Sequence, residues 1–276
     1  MKKITNKQIG KVLILLGLSI VTVIFLIPYF WMLSNSFKGT KELLMNPKHI
    51  LPAEFTVMGY ETVLFNSPFF IWLRNSLVVT ITDVIVIVFT SALVGYIFSK
   101  FNFKGKNILF MILLATMMVP EQTTMIPKFL LMNQLKLYNS ILSLIIPTFI
   151  NAFGIYLCKQ FCDELPKELI ESAKIDGAGD MKIFFRMILP QIKPALGALS
   201  IFTFLERWND YLNPLILLNS VEKMTLPLAL SYFSSQHMAD LSATMAASAL
   251  IMIPSSIVFI IFQKQFIKGI SMTGMK

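Results

Sequence analysis

Cysteine and histidine are nearly absent, with two of each among 276 residues. Cys158 and Cys162 lie one helical turn apart near the end of an apolar run, with no histidine close in sequence. That spacing makes a poor metal site, so the pair reads as core or interface packing. His49 and His237 fall in segments expected outside the apolar runs, which argues against a histidine-based site within a membrane. Charge is scarce too, at 14% of residues against 55% hydrophobic, with a mean hydropathy of +0.70. A soluble globule of this length does not have that composition; an integral membrane protein does. No G-x-x-x-x-G-K-[ST] phosphate loop occurs, so the chain has no such route to ATP hydrolysis. Gly-x-Ser-x-Gly and His-Glu-x-x-His are missing as well. No catalytic residue, metal site or cofactor is therefore expected in this chain. No low-complexity stretch, internal repeat or linker-separated soluble domain is visible, which points to a single domain over residues 1–276.

What is there is a series of apolar runs punctuated by basic residues. The net charge is +9. Lysines and arginines flank the apolar runs and do not interleave with aromatics, which argues against nucleic acid. Residues 1–11 are basic. Val12–Leu33 is long enough to cross ~30 Å of hydrocarbon, and it lacks a signal-peptide cleavage site. Further spans are expected at Ile71–Phe98, Ile108–Pro127 (broken by Pro120 and Pro127), Ile141–Phe161, Ala195–Leu218 and Ala243–Phe262. The membrane core then covers 12–262, and 263–276 is a flexible basic tail. Lysine and arginine are enriched in alternate loops, which places both termini on the inner side. The expected fold is all-α and integral to the membrane, with about six transmembrane helices.

One polar stretch, 163–194, interrupts this series. Leu165, Leu169 and Ala173 recur every four residues, an apolar stripe behind Pro166. Gly177 and Gly179 permit a sharp turn, with Gly177 expected at positive φ. Asp180 is a candidate cap for a second helix. Met181, Phe184, Phe185 and Ile188 give that helix its own apolar face, and Pro190 and Pro194 end it. A helix–turn–helix with two apolar faces, held between spans, reads as a docking element for a soluble partner. The alternative is an amphipathic hairpin lying on the bilayer.

The order Glu171-Ser-Ala173, Asp176-Gly177-Ala178, Met187-Ile-Leu189-Pro190 and Pro194 resembles the EAA loop of ABC-importer permeases. Ser172 and Met187 depart from the usual Ala and Ile while roughly keeping size or apolarity. The resemblance implies a cytoplasmic coupling loop that seats in an ATPase subunit, with Glu171, Ala173, Asp176, Gly177, Ala178, Phe184, Phe185, Leu189 and Pro190 as its contacts. The runs around Leu114–Pro120, Asn151–Gly154, Ile201–Phe204, Trp208–Asp210 and Thr225–Leu228 resemble the carbohydrate-uptake branch, in particular its maltose-type inner permease subunit. In that branch the tail reaches into the ATPase pair, which implies contacts at Lys268, Gly269, Thr273 and Gly274. The resemblance further implies a bacterial cytoplasmic (inner) membrane location and a second, homologous permease. It also implies two ATPase subunits that bind ATP and Mg, an extracytoplasmic solute-binding protein and a carbohydrate substrate. Alternatives are a permease for a non-sugar solute such as a glycerophosphate, or an ion-coupled secondary transporter.

Ionisable residues within spans are costly and therefore informative. Glu206, Arg207 and Asp210 fall midway along the fifth span, with Trp208, Asn209 and Tyr211 among them. Arg207 and Asp210, at i and i+3, can pair. Hydroxyls need polar partners and sugar C–H faces need aromatic planes, so Glu206, Arg207, Trp208, Asn209, Asp210 and Tyr211 are candidates to line a translocation path. A helix–helix tie fits the same residues equally well. Asn151 is a further path candidate. Asp83, in the second span, reads as packing, because no cation accompanies it in that helix.

Overall fold

The structure is a computed structural model that describes residues 6–235 and 240–273. All regular structure among them is helical. The first apolar run forms α1 (Asn6–Asn35), whose span is exposed on every side. A helix that is apolar all round is suited to lipid. The next segment holds two short helices, α2 (Thr40–Met45) and α3 (Met58–Phe65). Then α4 (Phe69–Lys100) carries the second span. After it come α5 (Lys106–Thr116) and α6 (Glu121–Gln134), which meet at a 101° bend.

The fourth span is α7 (Leu142–Ile145), a 3-10 turn over Ile146–Thr148, and α8 (Ala152–Asp163). The polar stretch gives α9 (Lys167–Ile175), then α10 (Asp180–Ile183), a π-helical turn over Phe184–Ile188, and α11 (Leu189–Gln191). α12 (Lys193–Trp208) leaves that segment at a 77° bend, and α13 (Leu212–Leu217) follows. After a 3-10 turn at Val221–Lys223 come α14 (Leu226–Ser235) and α15 (Leu241–Thr273). Among the described residues, four helices are long and apolar enough to cross a membrane singly, or up to six if each bent pair counts as one span.

The sequence expectations need three corrections. The third span breaks at Pro120 as expected, but Pro127, expected to break it too, stays inside α6. Membrane helices absorb such prolines when neighbouring groups re-satisfy the freed carbonyl. The fifth span is not one helix: α12 ends at Trp208, so Glu206, Arg207 and Asp210 sit at a helix end and not midway along it. The tail is not flexible throughout, because α15 continues to Thr273. No proline follows Pro254 to stop it, and Gly269 alone is too weak a breaker. Lys268, Gly269 and Thr273 lie on this helix, while Gly274 lies outside the described residues.

The chain folds as two compact units. One is Met1–Phe69 with Leu230–Met252. Within it Ser242 Oγ donates to the Lys38 carbonyl at 2.8 Å, and Thr40 Oγ1 donates to Asp240 Oδ1 at 2.8 Å. The fully buried Lys38 Nζ donates to the His49 carbonyl. The other unit is Phe70–Ala229 with Ile253–Lys276. Its main core joins Ile87, Ala92 and Tyr96 of α4 to Leu157, Cys158 and Cys162 of α8 and to Ala195 and Leu199 of α12. Both cysteines are buried free thiols, as a packing role requires. A second core cluster holds Val79, Met132, Leu144, Ile145 and Leu217.

Candidate functional site

Breaks in membrane helices expose backbone polar groups, so they are tolerated where protein or a water-filled cavity meets them. Here three interrupted segments border one cavity of about 250 Å³. Glu121 comes from the first turn of α6, just past the 101° bend. Thr148 and Asn151 come from the break before α8. Arg207 and Asn213 flank the break between α12 and α13. Leu144 and Leu217 supply apolar wall.

Two of the breaks carry a side-chain hydrogen bond at the start of the following helix. Asn151 accepts from the Gly154 N–H at 2.7 Å, which starts α8. Asp210 Oδ1 accepts from the Asn213 N–H at 3.2 Å, which starts α13. Glu121 at the head of α6 and Arg207 in the last turn of α12 each match the sign of their helix dipole. A further cleft of about 280 Å³ opens beside the first, lined by Glu206, Arg207, Asn209, Asp210, Tyr211 and Asn213 along with Glu121. Arg207 therefore borders both.

The polar groups form one network. Arg207 Nη2 lies 3.1 Å from Glu206 Oε1 and its Nη1 lies 3.8 Å from Asp210 Oδ2. Its Nε lies 3.6 Å from Oδ2 of Asp83, a fully buried carboxylate on α4. Asp83 Oδ1 accepts from the Thr148 hydroxyl at 3.1 Å. Asn213 donates from Nδ2 to Asp210 and to Glu121, at 2.9 Å in both cases. Lys128 Nζ closes the network, 2.6 Å from Asn213 Oδ1 and 3.3 Å from Glu121.

The expected Arg207–Asp210 pairing is present, and Asn151 joins the same cavity wall. Trp208 differs from expectation. It is fully buried, stacked on Phe204 with centroids 5.7 Å apart, so it offers no plane to either cavity. The partly exposed Tyr211 is the aromatic on the cleft wall. The packing role for Asp83 gains the cation that was missing from its own helix, supplied by α12. Glu121, Lys128 and Thr148 escaped the sequence reading. Glu121 and Lys128 stand two helical turns apart on a largely apolar segment, and that spacing was the available signal.

The 163–194 stretch is a helix–turn–helix. α9 ends in a Schellman motif, in which Ala178 N–H donates to Ala173 O at 2.9 Å and Gly177 N–H donates to Lys174 O at 3.0 Å. The motif needs a left-handed residue, and Gly177 has φ of 75°. Lys174 closes the turn onto Asp180 at 3.1 Å. Gly179 occupies the cap position of α10 with Asp180 in the first turn, one residue later than expected. Pro190 has no N–H for the Arg186 carbonyl and its ring crowds that carbonyl, so the helix widens into the π turn just ahead of it.

The apolar faces largely turn inward. Ile170 and Ala173 of α9, with Ile183, Phe184 and Ile188, belong to the main core. Phe184 was expected to meet a partner; it is instead fully buried, with its ring 5.6 Å from that of Tyr96. Periodicity marks an apolar face without saying what covers it. Phe185 is half-exposed beside Phe89, with ring centroids 6.3 Å apart. Leu189 and Ala178 are partly buried, and Glu171, Asp176, Gly177 and Pro190 are exposed. Ile175 and Met181 are exposed in this stretch, as are Glu171, Asp176 and Asp180.

A family profile described as "Binding-protein-dependent transport system inner membrane component" matches residues 87–272. The Bacillus subtilis (strain 168) arabinooligosaccharides transport system permease protein AraQ is 35% identical, over 98% of this chain and 97% of that protein. The diacetylchitobiose uptake system permease protein NgcG of Streptomyces coelicolor is 29% identical, over 91% of this chain and 84% of its own length. The lactose transport system permease protein LacG of Rhizobium radiobacter is also 29% identical, over 91% and 92%. In fold, the chain superposes with a TM-score of 0.84 on a chain of a bacterial ABC transporter involved in import of the acidic polysaccharide alginate, at 24% identity, covering 96% of this chain and 100% of that one. With four to six apolar spans, a polar cavity at helix breaks and a family match across more than half its length, this chain belongs to the inner-membrane components of binding-protein-dependent transport systems.

Proposed function

We propose that the chain is a permease subunit of an ATP-driven ABC importer for a carbohydrate. It forms the passage together with a second, homologous permease. A solute-binding protein delivers substrate on the outer face, and two ATPase subunits, which bind the ATP and Mg, dock on the inner face. The observation that carries this reading is the polar cavity where three helix breaks meet. Its lining mixes donors and acceptors (Asn151, Arg207, Asn213, Glu121), as sugar hydroxyls require, within helices otherwise too apolar to hold such groups. The relatives' names add arabino-oligosaccharides, diacetylchitobiose and lactose as the kind of solute.

The experiment is uptake of labelled arabinotriose into proteoliposomes that hold the whole complex, with ATP inside and binding protein outside. Asp210→Asn keeps the shape of the side chain and removes a charge facing Arg207. It is expected to lower uptake about tenfold while assembly persists, because a group aligned to a passing solute loses its orientation. Loss of assembly would assign Asp210 to packing. Normal uptake with normal assembly would contradict a path role.

The 163–194 helix–turn–helix is the coupling element in this reading. A Cβ at Gly177 meets nothing within 4 Å, so only its φ resists substitution. Gly177→Val is expected to cost ~1–2 kcal/mol or re-aim α10, and to release the ATPase subunits on solubilisation while the chain stays in the membrane. Glu171→Ala, at an exposed position, is expected to keep the ATPase bound and to reduce transport per ATP hydrolysed. Full retention of ATPase and normal uptake by the Gly177 variant would make the loop a passive connector.

A further inference from the structure

We infer that Asp83 is a positioning residue for transport, fixing the Arg207 guanidinium in the wall shared by the two cavities; this rests on the reading of that wall as the path. Each guanidinium nitrogen faces a different carboxylate, and these differ in burial. Glu206, beside Nη2 at 3.1 Å, has a side chain 56% exposed. Asp210, beside Nη1 at 3.8 Å, is 18% exposed, and Asp83, beside Nε at 3.6 Å, is fully buried. The exposed partner is the exchangeable one, since a solute hydroxyl can replace it at Nη2 at little desolvation cost. The buried partner cannot leave.

The local hydrogen bonding supports a fixed role. Asp83 Oδ1 is engaged by Thr148. Asp83 Oδ2 and Arg207 Nε are both buried and both lack a hydrogen-bond partner among the described residues. They face each other just beyond bonding distance, so each is the other's available partner. A buried unpaired group is costly, which pulls Nε toward α4 and leaves Nη1 and Nη2 turned to the cavities. Asp83 comes from a different helix than Arg207, Glu206 and Asp210. It therefore ties the end of α12 to α4, and movement of α12 relative to α4 would re-aim the donor.

The test is made on the reconstituted complex, comparing Asp83→Asn, Arg207→Gln and the double variant. Assembly is read by co-purification, arabinotriose uptake per assembled complex as maximal rate and KM for the loaded binding protein, and binding-protein-stimulated ATP turnover in parallel. Arg207→Gln is expected to lose assembly, because Asp83 is left buried and uncompensated. Asp83→Asn is expected to assemble and to lower the maximal rate about tenfold with KM unchanged, since the donor is misplaced after docking. The double variant removes both members of the buried Asp83–Arg207 pair, so it should assemble again and yet stay slow. Wild-type uptake by the double variant would reduce the pair to a structural tie and overturn the inference. So would an unchanged rate in Asp83→Asn, or a double variant that still fails to assemble. If the wild-type complex ignores arabinotriose, the sugar assignment fails separately, and stimulated ATP turnover still reads the Asp83 effect.

Discussion

Phe184→Ala is expected to destabilise the chain by about 3–5 kcal/mol, the range for removing a large ring from a closed core. The ring is fully buried among Tyr96, Phe89 and Phe185, within the cluster that joins α4, α8 and α12 to the helices of the 163–194 stretch. Phe185→Ala should behave differently. Phe185 is about half-exposed, so its loss is expected to leave folding nearly unchanged. The measurement is the yield and thermal midpoint of each variant in mild detergent, followed by size exclusion. If the two variants lose stability equally, the inward orientation of Phe184 is wrong.

Gly95→Leu is the second large effect, through space and not through backbone conformation. A Cβ at Gly95 would lie 2.8 Å from both Cys158 Cβ and the Lys159 backbone nitrogen. One turn earlier on α4, Ser91 meets Gly154 of α8, where an added Cβ would lie 2.3 Å from the serine oxygen. Small residues thus let α4 and α8 approach closely, as membrane helices do where lipid gives no hydrophobic drive to associate. A leucine at 95 must push the helices apart, at about 3 kcal/mol, and should abolish recovery of folded chain. Gly39→Ala is the matched control, because its Cβ enters open space and its φ of −72° suits any residue. Folded, active Gly95→Leu protein would mean the helices do not pack this closely.

The sequence made the spans and the helix–turn–helix legible because both rest on local signals. Apolar run length marks a crossing, and the Gly177 turn is written in glycine spacing that a Schellman motif then uses. The inward side of the loop was less legible. Leu165, Leu169 and Ala173 mark an apolar stripe, yet only the folded chain shows Leu165 and Ala173 packed in the main core with residues of α4 and α8. The Asp83–Arg207 pairing was hidden for a related reason, since its partners lie on α4 and α12 and no local pattern links them. The break at Pro120 was expected from the proline, whereas the one at Asn209 interrupts a span expected to be continuous. That is how Glu121, Thr148 and Asn213 come to share one cavity with Arg207. The tail misled in the other direction, because a basic segment with Gly269 reads as flexible while α15 carries it to Thr273.

If this chain transports solute on ATP energy as part of a binding-protein-dependent complex, its uptake depends on ATP and not on an ion gradient. The most direct measurement is solute uptake into proteoliposomes containing the complex, with ATP inside, binding protein outside, and a protonophore added in a parallel sample. Uptake is expected to stop when ATP or binding protein is withheld and to continue unchanged with the protonophore. Uptake that persists without ATP and collapses with the protonophore would contradict ATP-driven transport and make the chain an ion-coupled transporter.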